Sequence, residues 1–389
     1  MPGSIIAAEI FGIMLSGTTA YMVTAFAINL VASMIISKAF APNIDNQSIN
    51  AENPGSRLQV SPAGDNKLPI LYGSAYLGGI VTDLSITTNN QVLYYVLSIA
   101  EVTNTETGGT PDSYTFGDIY FGGKKCIFDV SDTSLVVGLL DESTGITDNT
   151  VNGLMNFYLY RNGSYSGVNT ATSAIQIMQD ANLVYKWDAT KLMSNCAFAI
   201  IKITYNQNAN LTGLQQTKFQ ITSPRTQPGD CFVDYLTSTR YGAAIPLANL
   251  NIASFTALNT YCNGSFPYTT SSGISASQTR FKFDGTLDTD QNIMNNLQLM
   301  ASSCDCLIRF NEITGTWGVI VQSPTYTVAM DLNDSNVISS MQISPTDIAS
   351  AYNIAEVKFP DGTSQDAFNT ATYNLAVINP ALMYPNEPV

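Results

Sequence analysis

Apolar residues recur at every third or fourth position in two stretches of the chain. Across 251–262 they are Ile252, Phe255, Leu258 and Tyr261, with Cys262 one further on and Asn251 ahead as an N-cap. Across 288–304 they are Ile293, Met294, Leu297, Met300, Ala301 and Cys304. Both patterns predict amphipathic helices, and Asp288 with Gln291 three residues on reads as a capping box for the second. The period then changes. Leu307, Ile308 and Phe310 read as a strand, 311–315 as a turn and 317–321 as the returning strand. Upstream, 68–73, 76–86 and the near-continuous apolar run at 89–102 predict strands, and 116–128 a hairpin turning at Gly122 and Gly123. The run 196–205 is a further strand, with 216–221 as its expected partner. Between these lie an acidic, turn-rich segment, 129–152, and a short helix expected within 171–185. Short strands are expected at 326–332, 337–343 and 354–359, before an extended proline-bearing end. The fold class is α+β and mostly β, with a few short amphipathic helices.

Residues 5–41 stand apart. Glu9 and Lys38 are their only charges, and the uncharged run 10–36 exceeds the ~20 residues that span a bilayer. No basic residue precedes it and no cleavage site follows, so it does not read as a signal peptide. Two readings stay open: a membrane anchor, or an apolar helix pair broken near 16–19 and buried by other subunits. The polar stretch that follows, with Pro54 and Pro62, reads as a linker.

With 389 residues the chain is long enough for two or more domains. Only 12% of residues are charged, about half the ~25% usual for soluble domains, which suits surfaces covered in an assembly. The net charge of −14 argues against nucleic-acid binding, which rests on phosphate neutralisation. Six scattered cysteines form no disulfide framework. Cys304 and Cys306 form a C-x-C without any histidine in the chain, so zinc is not expected and the thiols read as buried and reduced. Gly78-Gly79 and Gly122-Gly123 lack a phosphate-loop pattern. Asp284, Asp288 and Asp290 lack calcium-loop spacing. Glu9, Glu101, Glu142, Glu312 and Glu356 lie far apart. No catalytic, cofactor-binding or metal-ligating residue is expected.

One block carries a resemblance. Asp234, Leu236, Thr237, Arg240, Tyr241, Gly242, Ile245 and Pro246 are similar to a helix followed by T-x-x-RYG-x-G-x-P, with Ala244 where that pattern has its second glycine. In order after it come Tyr261-Cys262-Asn263, then Arg280, Asp284 and Gly285, the segment 304–321, and 353–361. Before it come Pro69, Tyr72, Gly73, Gly78, Gly79, Glu101, Asp118, Tyr120 and Gly122. This succession resembles the central tail hub, or tip attachment, proteins of long-tailed phages, the protein J family of lambda-like phages.

The resemblance implies several sheet-rich hub domains: an apolar helical segment at 1–42, a linker at 43–67, a first β-rich domain from 68–128 and 196–222, an insertion domain at 129–195, a second α+β domain at 223–325, and the start of a further β domain at 326–389. It implies a non-enzymatic homotrimer at the distal end of a virion tail. Its partners would be the distal tail or tube protein, the tape-measure protein and fibre or receptor-binding proteins. DNA would pass without specific binding, and the apolar segment could touch the host membrane. Arg240, Tyr241 and Gly242 are the suspected anchor, either between subunits or within the domain itself. The rivals from other classes are a membrane-anchored bacterial surface protein with external β-domains and, behind it, a cell-wall hydrolase.

Overall fold

The computed structural model describes residues 66–106, 109–269, 274–323 and 354–374, with isolated positions at 59 and between 331 and 344. All belong to one compact unit, Pro54–Val389. The expectations for residues 1–58, for the strands at 326–332 and 337–343 and for the extended end fall outside the described residues. The fold is mostly β with several sheets and few helices.

Two six-stranded sheets form the first lobe. One runs β14 (Gly285–Leu287), β1 (Ile70–Tyr72), β4 (Val92–Glu101), β10 (Cys196–Thr204), β9 (Met155–Tyr160), with β3 (Ile80–Ile86) also paired to β4. The other runs β2 (Ser74–Leu77), β11 (Thr217–Thr222), β5 (Thr115–Phe121), β6 (Lys124–Phe128), β7 (Val136–Asp141), β8 (Ile146–Asp148). Phe157 of the first sheet meets Phe121, Phe128 and Phe219 of the second edge-to-face, at centroid distances of 6.0–6.4 Å. The opposite face of the first sheet is covered as well. There Tyr94, Val96, Tyr160, Phe198 and Ile200 pack against Ile175, Met178, Leu183 and Trp187. A sheet buried on both sides favours apolar residues at nearly every position, which accounts for the near-continuous run in β4, interrupted by Ser98 and ended by Glu101.

Several expectations need correcting here. The strand 217–222 does not pair with β10, whose two edges are taken by β4 and β9; it joins β2 and β5 in the other sheet. Segment 129–195 does not fold apart as an insertion: it supplies β7 and β8 to one sheet, β9 to the other, and the cover over the first. Trp187 Nε1 and Lys191 Nζ both bind Asp83 on β3, at 2.7 and 2.8 Å, and tie that cover down. The acidity of 129–152 is turn chemistry: the carboxylates of Asp129, Asp141 and Asp148 each accept the N–H two residues on. The helix within 171–185 is one turn, α1 (Ala174–Ile177), held by a Ser173–Gln176 capping box.

The second lobe carries α2 (Pro228–Thr237), α3 (Ile252–Cys262) and α4 (Ile293–Ser303). Asn251 caps α3 as its position predicts. For α4 the cap is Asn292 and not Asp288, because 288–291 closes a separate turn, in which Asp288 accepts from the amides of Asp290 and Gln291. The hairpin of β15 (Cys306–Asn311) and β16 (Thr316–Val321) forms where the strand, turn and returning strand are expected, with Asn311 paired to Thr316 at the end of the ladder. Two further ribbons are β12 (Ser265–Thr269) with β13 (Ser275–Thr279), and β17 (Ile354–Asp361) with β18 (Ala367–Asn374). The expected boundary at 222/223 is crossed by β14, which lies in the helical block yet pairs antiparallel with β1.

Candidate functional site

The lobes meet along a seam of buried polar groups centred on Asp234. Helix α2 presents Cys231, Phe232, Tyr235 and Leu236 to the core of the second lobe. Asp234 lies between these positions and is buried with them. A carboxylate there must be paired, since an unpaired charge in a dry interior is strongly disfavoured. Its Oδ2 accepts the hydroxyls of Tyr72 at 2.7 Å and Tyr241 at 2.9 Å, and its Oδ1 accepts the Asn104 N–H at 2.8 Å. Tyr72 and Asn104 come from the sheet lobe, so one carboxylate joins both. Burial holds the Asp234 pKa above the ordinary carboxylate range, against the hydrogen bonds from Tyr72 and Tyr241 and the charge of Arg225. Burial and the facing carboxylate likewise push the Tyr72 and Tyr241 phenols up.

Ion pairs flank this centre. Arg240 reaches Glu101 at the end of β4 through two bonds, Nε–Oε2 at 2.6 Å and Nη2–Oε1 at 3.0 Å. Arg225 bridges to Asp112 in the same forked manner, at 2.8 and 3.3 Å. Tyr114, fully buried, donates to the Glu101 carbonyl at 2.8 Å and lies 3.3 Å from the Thr103 hydroxyl, which in turn binds Asp112. The partner of Arg240 thus lies in the same chain across the lobe boundary, and that of Tyr241 is Asp234 in its own lobe, which in turn reaches the sheet lobe through Tyr72 and Asn104.

Gly242 completes the turn that brings Arg240 and Tyr241 back over α2. A Cβ on it would sit 1.8 Å from the Tyr235 carbonyl oxygen, so no side chain fits. The chain is then pinned by Ala243 N–H to Tyr235 O and Ile245 N–H to Leu236 O. Ala244 holds φ at +54°, the left-handed region that favours glycine. Here this chain departs from the glycine of the resembling pattern.

A second junction lies beside the first. Tyr72 pairs in register with Gly285, and Asp284 Oδ1 accepts the Ser74 N–H at 3.0 Å. A Cβ on Gly73, at φ +68°, would strike the Phe283 carbonyl at 2.1 Å. A cleft of about 260 Å³ opens here, lined by Tyr76, Gln220, Lys282, Asp284 and Asp366 among others. Both carboxylates in it are engaged, Asp284 by Lys282 at 2.6 Å and Asp366 by the Tyr76 N–H at 2.7 Å. Among the described residues no set of three or more histidine, cysteine or acidic side chains is arranged to hold a metal ion.

The sequence reading named Arg240, Tyr241 and Gly242, and the structure brings all three to the seam. It did not single out Asp112 and Arg225, or assign Asp234 a role. The available signal for Asp234 was an acidic residue inside the apolar stripe of α2. Nothing local marks the Asp112–Arg225 pair, which are far apart in the chain.

No known family and no curated protein matches this chain. Among solved structures it is similar to a chain in the virion of a native gene transfer agent particle, with a TM-score of 0.43 and 11% identity, over 96% of this chain and 77% of that one. A likeness at that level carries no argument about function.

Proposed function

We propose that this chain is a structural protein of a phage-type virion, and within it the tail tip hub: a homotrimeric ring that closes the distal tail tube and opens for genome ejection. One observation carries this reading. The residues that bear the sequence resemblance come from separate motifs, and they converge in space. Tyr72 and Glu101 from the early motifs meet Asp234, Arg240 and Tyr241 from the RYG block, while Asp284 and Gly285 from a third motif close on Gly73 and Ser74. Short motifs shared by chance would have no reason to meet in one interlobe lock.

The reading assigns no catalysis. The work is assembly, with the sheet lobes of three copies building the ring. Tube, tape-measure and fibre or receptor-binding proteins would be its partners, and acidic walls would let DNA slide past without adhering. The test is imaging of the chain in its native complex. A three-fold ring at the end of a tail tube is the expected result. A monomer, or a particle embedded in a membrane, would overturn it. Among the described residues no helix is long and apolar enough to cross a membrane.

A further inference from the structure

Strand β2 lies at one edge of its sheet, with β11 on one side only. Successive residues of a strand direct their amides to opposite sides. Gly73, just before β2, faces the chain that leaves β11: its N–H donates to the Arg225 carbonyl and its carbonyl accepts the Ser223 N–H. Ser74 and Tyr76 therefore direct their amides outward, to the side where a further strand would pair. An edge of this kind is a template for association with another chain.

Both outward amides are occupied. The Ser74 N–H donates to Asp284 Oδ1 at 3.0 Å, and the Tyr76 N–H donates to Asp366 Oδ2 at 2.7 Å. The two carboxylates come from segments 210 and 290 positions further along the chain. They bind alternate residues of β2, as the carbonyls of an antiparallel neighbour would.

Two local devices place them. Asp284 is brought in by the close approach at Gly73, where a Cβ would overlap Asp284 Oδ1. Asp366 is carried on the tip of the β17–β18 ribbon, where Gln365 and Asp366 hold φ at +56° and +59°. Two successive non-glycine residues in the left-handed region are costly and persist only where their surroundings hold them. Here β2 and β11 hold them: Lys218 Nζ on β11 donates to Gln365 Oε1 at 3.5 Å, beside the Asp366 contact. Gln365 and Asp366 are half-buried, whereas the strands behind them are largely exposed, so the ribbon docks by its tip.

We propose that Asp284 and Asp366 guard the β2 edge: by occupying its outward amides they keep it from pairing with the β2 edge of a second copy of this chain. A second copy is the fitting partner because the edge is complementary to itself. About a two-fold axis at Ala75, Ser74 of each copy lies opposite Tyr76 of the other, a register in which antiparallel residues exchange both their N–H and carbonyl bonds. Carboxylates suit the task. Each accepts strongly from an amide and, when ionised, offers no donor to an incoming strand. Identical charges on two approaching copies also repel.

The experiment compares the wild-type chain with Asp284→Ala/Asp366→Ala and Asp284→Asn/Asp366→Asn. In the wild type, amide hydrogen exchange at Ser74 and Tyr76 should be slowed roughly ten- to a hundredfold, although neither amide has a strand partner. Sedimentation velocity over about a hundredfold range of concentration reads the assembly state. The Ala variant should associate beyond the wild type's own state as concentration rises, with Ser74 and Tyr76 unprotected at the low end and protected at the high end. The Asn variant keeps an acceptor at each position and should behave as wild type. Wild-type amides that exchange at the rate of free peptide would overturn the proposal, and that readout stands even where a variant fails to fold. So would a folded Ala variant that keeps the wild-type state throughout, or an Asn variant that associates as readily as the Ala variant. Each comparison is made against the wild type's own state, so none depends on the trimer proposed above.

Discussion

Replacing Asp234 by alanine isolates what the seam contributes. The substitution leaves the Tyr72 hydroxyl, the Tyr241 hydroxyl and the Asn104 N–H buried without their acceptor. Each stranded buried donor costs about 1–3 kcal/mol. Removing the carboxylate also relieves its own desolvation, which is large enough to raise its pKa, so the sum falls below three full penalties. We expect Asp234→Ala to cost about 3–5 kcal/mol, as for breaking a buried charged pair. Asp234→Asn, which keeps the volume and one acceptor, should cost about 1–2 kcal/mol. Urea unfolding at pH 7 measures both.

The pH dependence supplies an independent check. Because the folded pKa of Asp234 is raised, the native chain holds a proton that the unfolded chain has released. Its contribution is fully present below the unfolded carboxylate value of ~3.9 and is lost as pH rises through the folded value. Wild type should therefore gain stability relative to Asp234→Asn as pH falls from neutrality toward that range. The exposed carboxylates with lowered pKa, such as Asp129 and Asp141, act in the opposite sense but cancel in the difference. A cost under about 0.5 kcal/mol for Asp234→Ala, below the range for even one stranded donor, would refute the account of the seam. So would a wild-type advantage over Asp234→Asn that shrinks on acidification.

Three further outcomes follow from the same geometry. Ala244→Gly should stabilise the fold by about 1 kcal/mol, because it relieves a left-handed alanine at φ +54°, and the shift is readable in thermal unfolding. Gly242→Ala should cost about 3 kcal/mol or more, because its Cβ would overlap the Tyr235 carbonyl and the turn must open; urea unfolding checks it, with faster hydrogen exchange expected at Ala243 and Ile245. Arg240→Lys loses the fork to Glu101, but Arg240 is 46% exposed and solvent weakens the pair, so about 1 kcal/mol is expected by urea unfolding.

The local elements were written in the sequence where the local signal was strong. Asn251 and the three-residue apolar spacing determined α3, and the alternation around 311–315 determined the β15–β16 hairpin. The glycine pair at 122 and 123 determined the turn between β5 and β6. Two-sided burial also left its mark, as the near-continuous apolar run of β4.

Pairing was decided elsewhere. A strand such as 217–222 carries an alternating pattern that fits either sheet; β4 and β9 occupy both edges of β10, and 217–222 pairs with β2 and β5. Likewise 129–195, without a strong period of its own, was absorbed into both sheets. At the seam, the sequence marked Arg240, Tyr241 and Gly242 by resemblance and left Asp112 and Arg225 unmarked. Hydrogen bonds and ion pairs between residues more than a hundred positions apart leave no local period. The chain alone fixed which segments were helix, strand and turn; only the closed core fixed which edges were free to pair and which buried charges had to meet.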